Sequence, residues 1–324
     1  ADEGAKVLEA GGNAFDAAIT TAFVQMVLSP FSCGVGGMVS ANLWKPDTAQ
    51  RFVVDGLLSA GNKVTEHMWS ADYRGEAEFS GSSLFEDHRS EIGYSSICTP
   101  GAVAALGDVH RHLGSLPWKD LLQPAINTAR KGFLFMPVSS PSTMEETGTY
   151  HVDDVTRVHT STECSRLFYR ETGTVPPEGE VFQNNDYANT IQQLAENGAE
   201  DLYKGDLADT IASDLESNNS FVTRSDLEEY KTNIYSPSLA VYQNHKVYSN
   251  MSPGGGPLLV QALKVLDSLD LSRLEHSSAD HLALLASTLQ LVNQDRRNFV
   301  GDPRYVGHLL FREQISNERV DKLR

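Results

Sequence analysis

Residues Gly11-Gly12-Asn13-Ala14-Phe15-Asp16-Ala17-Ala18 (GGNAFDAA) read as the end of one helix and the start of the next. A pair of glycines supplies the left-handed backbone that closes a helix, here one over Ala5–Ala10. Asn13 is of the type that caps a helix start, and Asp16, three positions on, stands in the capping-box place. Ala17, Ala18, Thr21, Ala22 and Phe23 then give a small, nearly all-round apolar surface. That surface predicts a buried helix packed against a sheet.

Outward from this point, Pro30–Gly37 (PFSCGVGG) is a glycine loop, followed by strands over Val39–Trp44 and Arg51–Asp55 across a Pro46-Asp47 turn. Glu66–Ser90 is polar and irregular, and Tyr94–Cys98 reads as a short strand. Helices are expected over Val103–His112 and Trp118–Lys131, the second stopped by Gly132. Residues 137–183 have the weakest periodicity and read as an irregular excursion. Helices resume over Ala188–Asn197 and Asp206–Glu216, and Thr223 with Asp226 opens another. Leu239–Tyr242 and Lys246–Ser249 form a hairpin across Asn244-His245. Ser252–Pro257 (SPGGGP) is a second glycine loop before a helix from Leu258, and a long helix covers Ser278–Phe299. No repeat or linker breaks the chain, so residues 1–324 read as part of one layered α/β (α+β) domain.

Bulk properties remove several functions. The chain has 324 residues, 40% hydrophobic, and a formal charge of -17 from 43 acidic against 26 basic side chains. Such a surface repels phosphate backbones, so no nucleic-acid partner is expected. Cys33, Cys98 and Cys164 lie far apart with no CxxC pair. No apolar run reaches membrane-spanning length; Ala17–Leu28 is broken by Thr20, Thr21 and Gln25. No signal peptide heads the sequence, which starts within a first helix, as after removal of a leader or trimming. Asn218 and Asn250 fit the N-glycosylation sequon.

Chemistry-bearing motifs are few. HExxH, GxSxG, Walker A and a complete GxGxxG are all missing. Gly34-Val35-Gly36-Gly37 lies between a helix and a strand, the reverse of the order that aims amides at phosphate, and is read as a turn. His110 with His112 and His276 with His281 have poor ligand spacing for a helix, so no metal site is expected. Glu145-Glu146 and Asp153-Asp154 read as solvated loop carboxylates. No cofactor motif is present. A hydroxyl nucleophile needs a base, and where that base is the residue's own α-amine the nucleophile must head its chain. Ala1 has neither hydroxyl nor thiol.

Four blocks, in order and covering nearly the whole chain, resemble the large subunit of the gamma-glutamyltranspeptidases. The first is Gly11–Ala18 with Pro30 and Gly34–Gly37. The second runs from Thr99-Pro100-Gly101-Ala102-Val103 through His110, Gly114 and Leu116-Pro117-Trp118 to Pro124-Ala125-Ile126, Ala129 and Gly132-Phe133. The third comprises Leu202-Tyr203-Lys204-Gly205-Asp206, Asp226-Leu227, Tyr230 and Pro253–Gly256. The fourth is Asp295-Arg296 with Gly301-Asp302-Pro303.

The resemblance implies a four-layer αββα sandwich of the N-terminal-nucleophile hydrolase type, completed by a second chain. It implies a self-cleaving precursor, a heterodimer with a small subunit, and a catalytic threonine heading that small subunit, leaving no catalytic residue here. After Asp302-Pro303 the chain is about where a family large subunit approaches its end. The implied substrate is a small γ-glutamyl compound or related amide, and the implied location is secreted or periplasmic, with the cytoplasm as alternative.

One departure stands out. Family members carry a segment resembling Asp-x-Arg-Glu-x-Ala-Pro, whose arginine grips the substrate α-carboxylate. Aligning Asp55 and Ala60 sets Leu57 at the arginine, Leu58 at the glutamate and Gly61 at the proline. A bidentate arginine clamp contributes about 1.5–3 kcal/mol per hydrogen bond. Its replacement weighs against glutathione and toward an acyl substrate without that carboxylate, as in the cephalosporin-acylase-like branch, unless Arg51 or Arg89 substitutes. The alternative is a degenerate member that binds or interacts without catalysis.

Overall fold

Helix Asp2–Glu9 ends where Gly11 takes a φ of +92°. Asn13 then caps helix Ala14–Leu28 through its side chain, and Asp16 returns a bond to the Asn13 amide, completing the capping box. The structure is a computed structural model, described here over residues 1–76, 83–135, 161–168, 179–307 and 309–323. Over these the chain divides into two compact units: residues 1–39 with 56–232, and residues 40–55 with 233–324.

The first unit is mainly helical. Helix Ala14–Leu28 buries Ile19, Phe23 and Val27 against helices Asp2–Glu9, Ala102–Leu113 and Trp118–Lys131. Within this unit and among the described residues its main neighbours are helices, where a packed sheet was expected; small side chains permit close approach to either. Helix Trp118–Lys131 also packs on Asn185–Asn197, burying Leu121, Leu122 and Ile126 with Ile191 and Leu194. The Trp118 indole donates to the Leu194 carbonyl at 2.9 Å and meets Phe23 edge-on. Three completely or nearly buried side chains per helix face is the kind of burial that stabilises by roughly 1.5–3 kcal/mol each. Gly132, at φ +86°, ends Trp118–Lys131 as expected.

Helices Asp201–Lys204, Asp206–Ser217 and Arg224–Glu229 complete this unit. The Thr223–Asp226 capping box opens the last. Tyr94–Ser96 is a 3-10 turn, not a strand: the Ser96 hydroxyl and amide both donate to the Gly93 carbonyl, a local bond that competes with strand formation. Of the expected excursion over 137–183, helix Thr162–Phe168 and strand Val181–Phe182 are described, the strand pairing with Phe133–Leu134. Phe135, Phe168 and Phe182 cluster there. Glu145-Glu146, Asp153-Asp154 and the rest of 137–160, with 169–178, lie outside the described residues.

The second unit holds a three-stranded sheet, ordered Val39–Lys45, Gln50–Gly56, Asn233–Tyr235, and the hairpin Ser238–Tyr242/His245–Ser249. The hairpin turns at Gln243-Asn244, both at positive φ, one residue earlier than expected. Two left-handed residues match the twist of the flanking strands. Helices Gly256–Asp267, Ala279–Phe299, Leu309–Gln314 and Asn317–Leu323 pack with the hairpin or one another. A buried polar chain ties them: Gln261 donates to Asp295, Gln314 donates to Gln261, and Arg319 pairs with Asp295.

Candidate functional site

The strand Gln50–Gly56 delivers the chain into Leu57-Leu58, the pair set against the family's arginine and glutamate. In the first unit this short strap, Gly56–Asn62, is fastened at nearly every second residue. Gly56 crosses Gly101 so closely that a Cβ on either would overlap the other's backbone. Tyr230 donates its hydroxyl to the Leu57 carbonyl at 2.6 Å. Ser59 and Thr99 exchange backbone bonds of 3.1 and 2.8 Å. Gly61 runs against the Phe221 backbone, where a Cβ would again overlap. Finally the Asn62 amide donates to Asp226, the carboxylate of the second capping box, at 3.0 Å. Leu57 is half-buried and Leu58 is 41% exposed. The strap therefore presents two apolar side chains from a rigid backbone.

The two arginines that could have restored a carboxylate grip are both engaged. Arg89 pairs with Asp72 at 2.6 Å and lies 3.7 Å from Asp87. In the second unit the Arg51 guanidinium lies between Trp44 and Tyr248, 3.7 and 4.3 Å from their ring centres. An arginine already matched to carboxylates or ring faces is a weaker recruit for a substrate anion.

The glycine loop Gly34–Gly37 is a structural turn. Its Gly37 carbonyl accepts from both Gly101 and Ala102 at 3.0 Å, so it closes the start of helix Ala102–Leu113 instead of offering amides to an anion. The Val35 amide donates to the Tyr187 hydroxyl, whose titration burial pushes up to about 12. In the second unit, Asn250 fixes the Pro253–Gly256 loop: its side-chain oxygen accepts from the Gly256 amide at 2.8 Å and its NH2 donates to Ser40 at 3.3 Å. Ser40 and Tyr235 in turn donate to buried Asp55. The Asn218 amide of the other sequon donates to Asp214.

His110 bonds the Leu116 carbonyl and packs on Trp118, and His276 lies 5.5 Å from His281. Among the described residues no cluster of three or more His, Cys, Asp or Glu could hold a metal ion. Cys33, Cys98 and Cys164 are free thiols. No helix there is long and apolar enough to cross a membrane.

Sequence reasoning placed Leu57 and Leu58 but not what holds them. Tyr230 and Asp226 entered only as parts of a family block and a helix cap. The Tyr230–Leu57 bond spans 173 positions and the Asp226–Asn62 bond 164, beyond any local pattern.

The family model described as Gamma-glutamyltranspeptidase matches residues 1–324, so the chain belongs to that family. It is 29% identical over 304 residues to the glutathione hydrolase proenzyme of Pseudomonas aeruginosa, covering 93% of this chain and 50% of that precursor. It is 27% identical over 306 residues to the acylase ACY 1 proenzyme of Pseudomonas sp. (strain SE83), covering 94% of this chain and 52% of that one. The chain thus spans about half the length of the curated relatives it matches. Its fold is similar to Helicobacter pylori gamma-glutamyltranspeptidase, with a TM-score of 0.85 at 26% identity, over 99% of this chain and 87% of the other. The mixed helix-and-strand fold class expected from the sequence is therefore that of the N-terminal-nucleophile hydrolases of this family.

Proposed function

We propose that this chain is the large, non-nucleophile part of a self-processing amidohydrolase or acyltransferase. The observation that carries the proposal is a family match along all 324 residues against only half of relatives that are themselves proenzymes. The other half supplies the N-terminal threonine and completes a single αββα domain with this chain. The threonine attacks a γ-glutamyl or related amide, and water or an amine acceptor then releases the acyl group. This chain supplies scaffold and pocket wall, including Leu57-Leu58. The mature enzyme acts in the periplasm or outside the cell.

The apolar wall and the engagement of Arg51 and Arg89 favour an acyl group lacking the α-carboxylate. Intact-mass analysis of the natively purified full-length protein is expected to find a companion chain beginning with threonine. That protein is expected to hydrolyse 4-aminobutyryl or butyryl anilides faster than the γ-glutamyl anilide. No turnover of any amide probe with the threonine present would move the assignment to a degenerate, non-catalytic binding protein, the reading Leu57 also motivates. No threonine-headed companion at all would overturn the enzymatic reading.

A further inference from the structure

We propose that Tyr230 is a positioning residue for substrate recognition, acting through the Leu57 backbone; this rests on the reading of Leu57-Leu58 as pocket wall. Fixing a carbonyl fixes the plane of the following peptide, and here that peptide joins Leu57 to Leu58. The hydroxyl that does so sits in a notch only a glycine leaves open, since a Cβ on Gly101 would overlap it. The Tyr230 ring is itself seated, stacked on Tyr203 at 5.5 Å with an interplanar angle of 20°.

Tyr203 is anchored on the same stretch of chain. Its hydroxyl donates to the Pro100 carbonyl at 3.0 Å and accepts from the Ala104 amide at 3.1 Å. The pair divides the labour: Tyr203 holds Pro100–Ala104, and Tyr230 separately holds Leu57. Ser59, Gly61 and Asn62 fasten the strap further along, but among the described residues the bond at Leu57 itself comes from Tyr230. The chemistry fits this role: a half-buried phenol donates to a carbonyl, and its rigid ring places the donor with little loss of side-chain freedom.

The test uses the complete self-processed protein carrying Tyr230→Phe, which keeps the ring and removes the hydroxyl that bonds Leu57, beside Tyr203→Phe as the matched loss of a tyrosine bond elsewhere in the pair. Steady-state kinetics on butyryl and 4-aminobutyryl anilides are followed with thermal melting of each variant. Tyr230→Phe is expected to raise KM about fivefold with kcat within about twofold, the size of one lost neutral hydrogen bond, while Tyr203→Phe lowers the melting temperature without that rise. An unchanged KM in Tyr230→Phe, or an equal rise in both variants, overturns the proposal while leaving the enzymatic assignment standing. Absence of turnover in the unmutated protein removes the assignment and this inference with it.

Discussion

The strap Gly56–Asn62 and the loop Pro253–Gly256 both depend on glycines, yet each is held differently. In the strap, Gly56 and Gly61 meet backbone from segments far along the chain, at Gly101 and Phe221. In the loop, Gly254 and Gly256 meet Asn250, a few residues earlier. One is a crossing of distant chain, the other a local turn around a side-chain amide. The difference decides what a methyl group would displace, and whether the neighbour could yield.

The largest effects are expected where the neighbour is backbone. Gly101→Ala places its Cβ into Gly56 and the Tyr230 hydroxyl, and Gly256→Ala places its Cβ into the Asn250 carbonyl. Neither backbone can retreat without breaking bonds, so each substitution should destabilise by about 3 kcal/mol, the upper range for overpacking. Chemical denaturation of each variant measures this; a loss below about 1 kcal/mol at Gly101 would mean the crossing relaxes easily. Only Gly101→Ala should also raise KM, because only it reaches Leu57 through Tyr230.

Next in size is a gain. Leu57→Arg in the complete enzyme should raise kcat/KM for a γ-glutamyl anilide about 10- to 100-fold, as one or two charge-assisted bonds to the α-carboxylate form. Butyryl anilide, which has no carboxylate, should not gain. Equal change on both probes would show that Leu57 does not face that part of the substrate.

The same contrast governs what the sequence revealed. The loop Pro253–Gly256 and the capping boxes at Asn13 and Thr223 were legible because their partners lie within a few residues. The fold class was legible because four blocks recur in family order; the reading of Leu57-Leu58 as pocket wall rests on Asp55 and Ala60 bracketing them. The Tyr230 and Asp226 anchors were not, since chain folding alone brings them to Leu57 and Asn62. The serine-driven turn at Tyr94–Ser96 was missed because apolar and aromatic residues there mimic a strand.

Asp16 extends the comparison to a capping box that also reaches far along the chain. Burial alone would raise its titration, but the Ser115 hydroxyl and the amides of Asn13, Ser115 and Leu116 outweigh this and lower it below the ordinary carboxylate value. Asp295 is lowered by its bond to Arg319, against burial, with Gln261 assisting. A depressed folded value means stability fully present above the unfolded carboxylate range near pH 4 and lost as pH falls through the folded value. Melting temperature should therefore drop on acidification below about pH 4, and Asp16→Asn should flatten part of that limb while costing about 1–3 kcal/mol at neutral pH. A limb of unchanged steepness in the variant would remove Asp16 from the account.

The smallest effect separates side chain from backbone within one loop. A Cβ on Gly254 would overlap the Asn250 side-chain amide and not its main chain. That amide can rotate away, at the expense of its bonds to Gly256 and Ser40. Gly254→Ala should therefore cost about 1 kcal/mol, well under Gly256→Ala two residues on. With Asn250→Ala already in place those bonds are gone and the methyl group has room, so adding Gly254→Ala should then be nearly neutral. A double-mutant cycle should return a coupling of about 1 kcal/mol between the two positions. Additive effects would mean that the methyl group strains the loop backbone instead, and that loop and strap tighten by the same means after all.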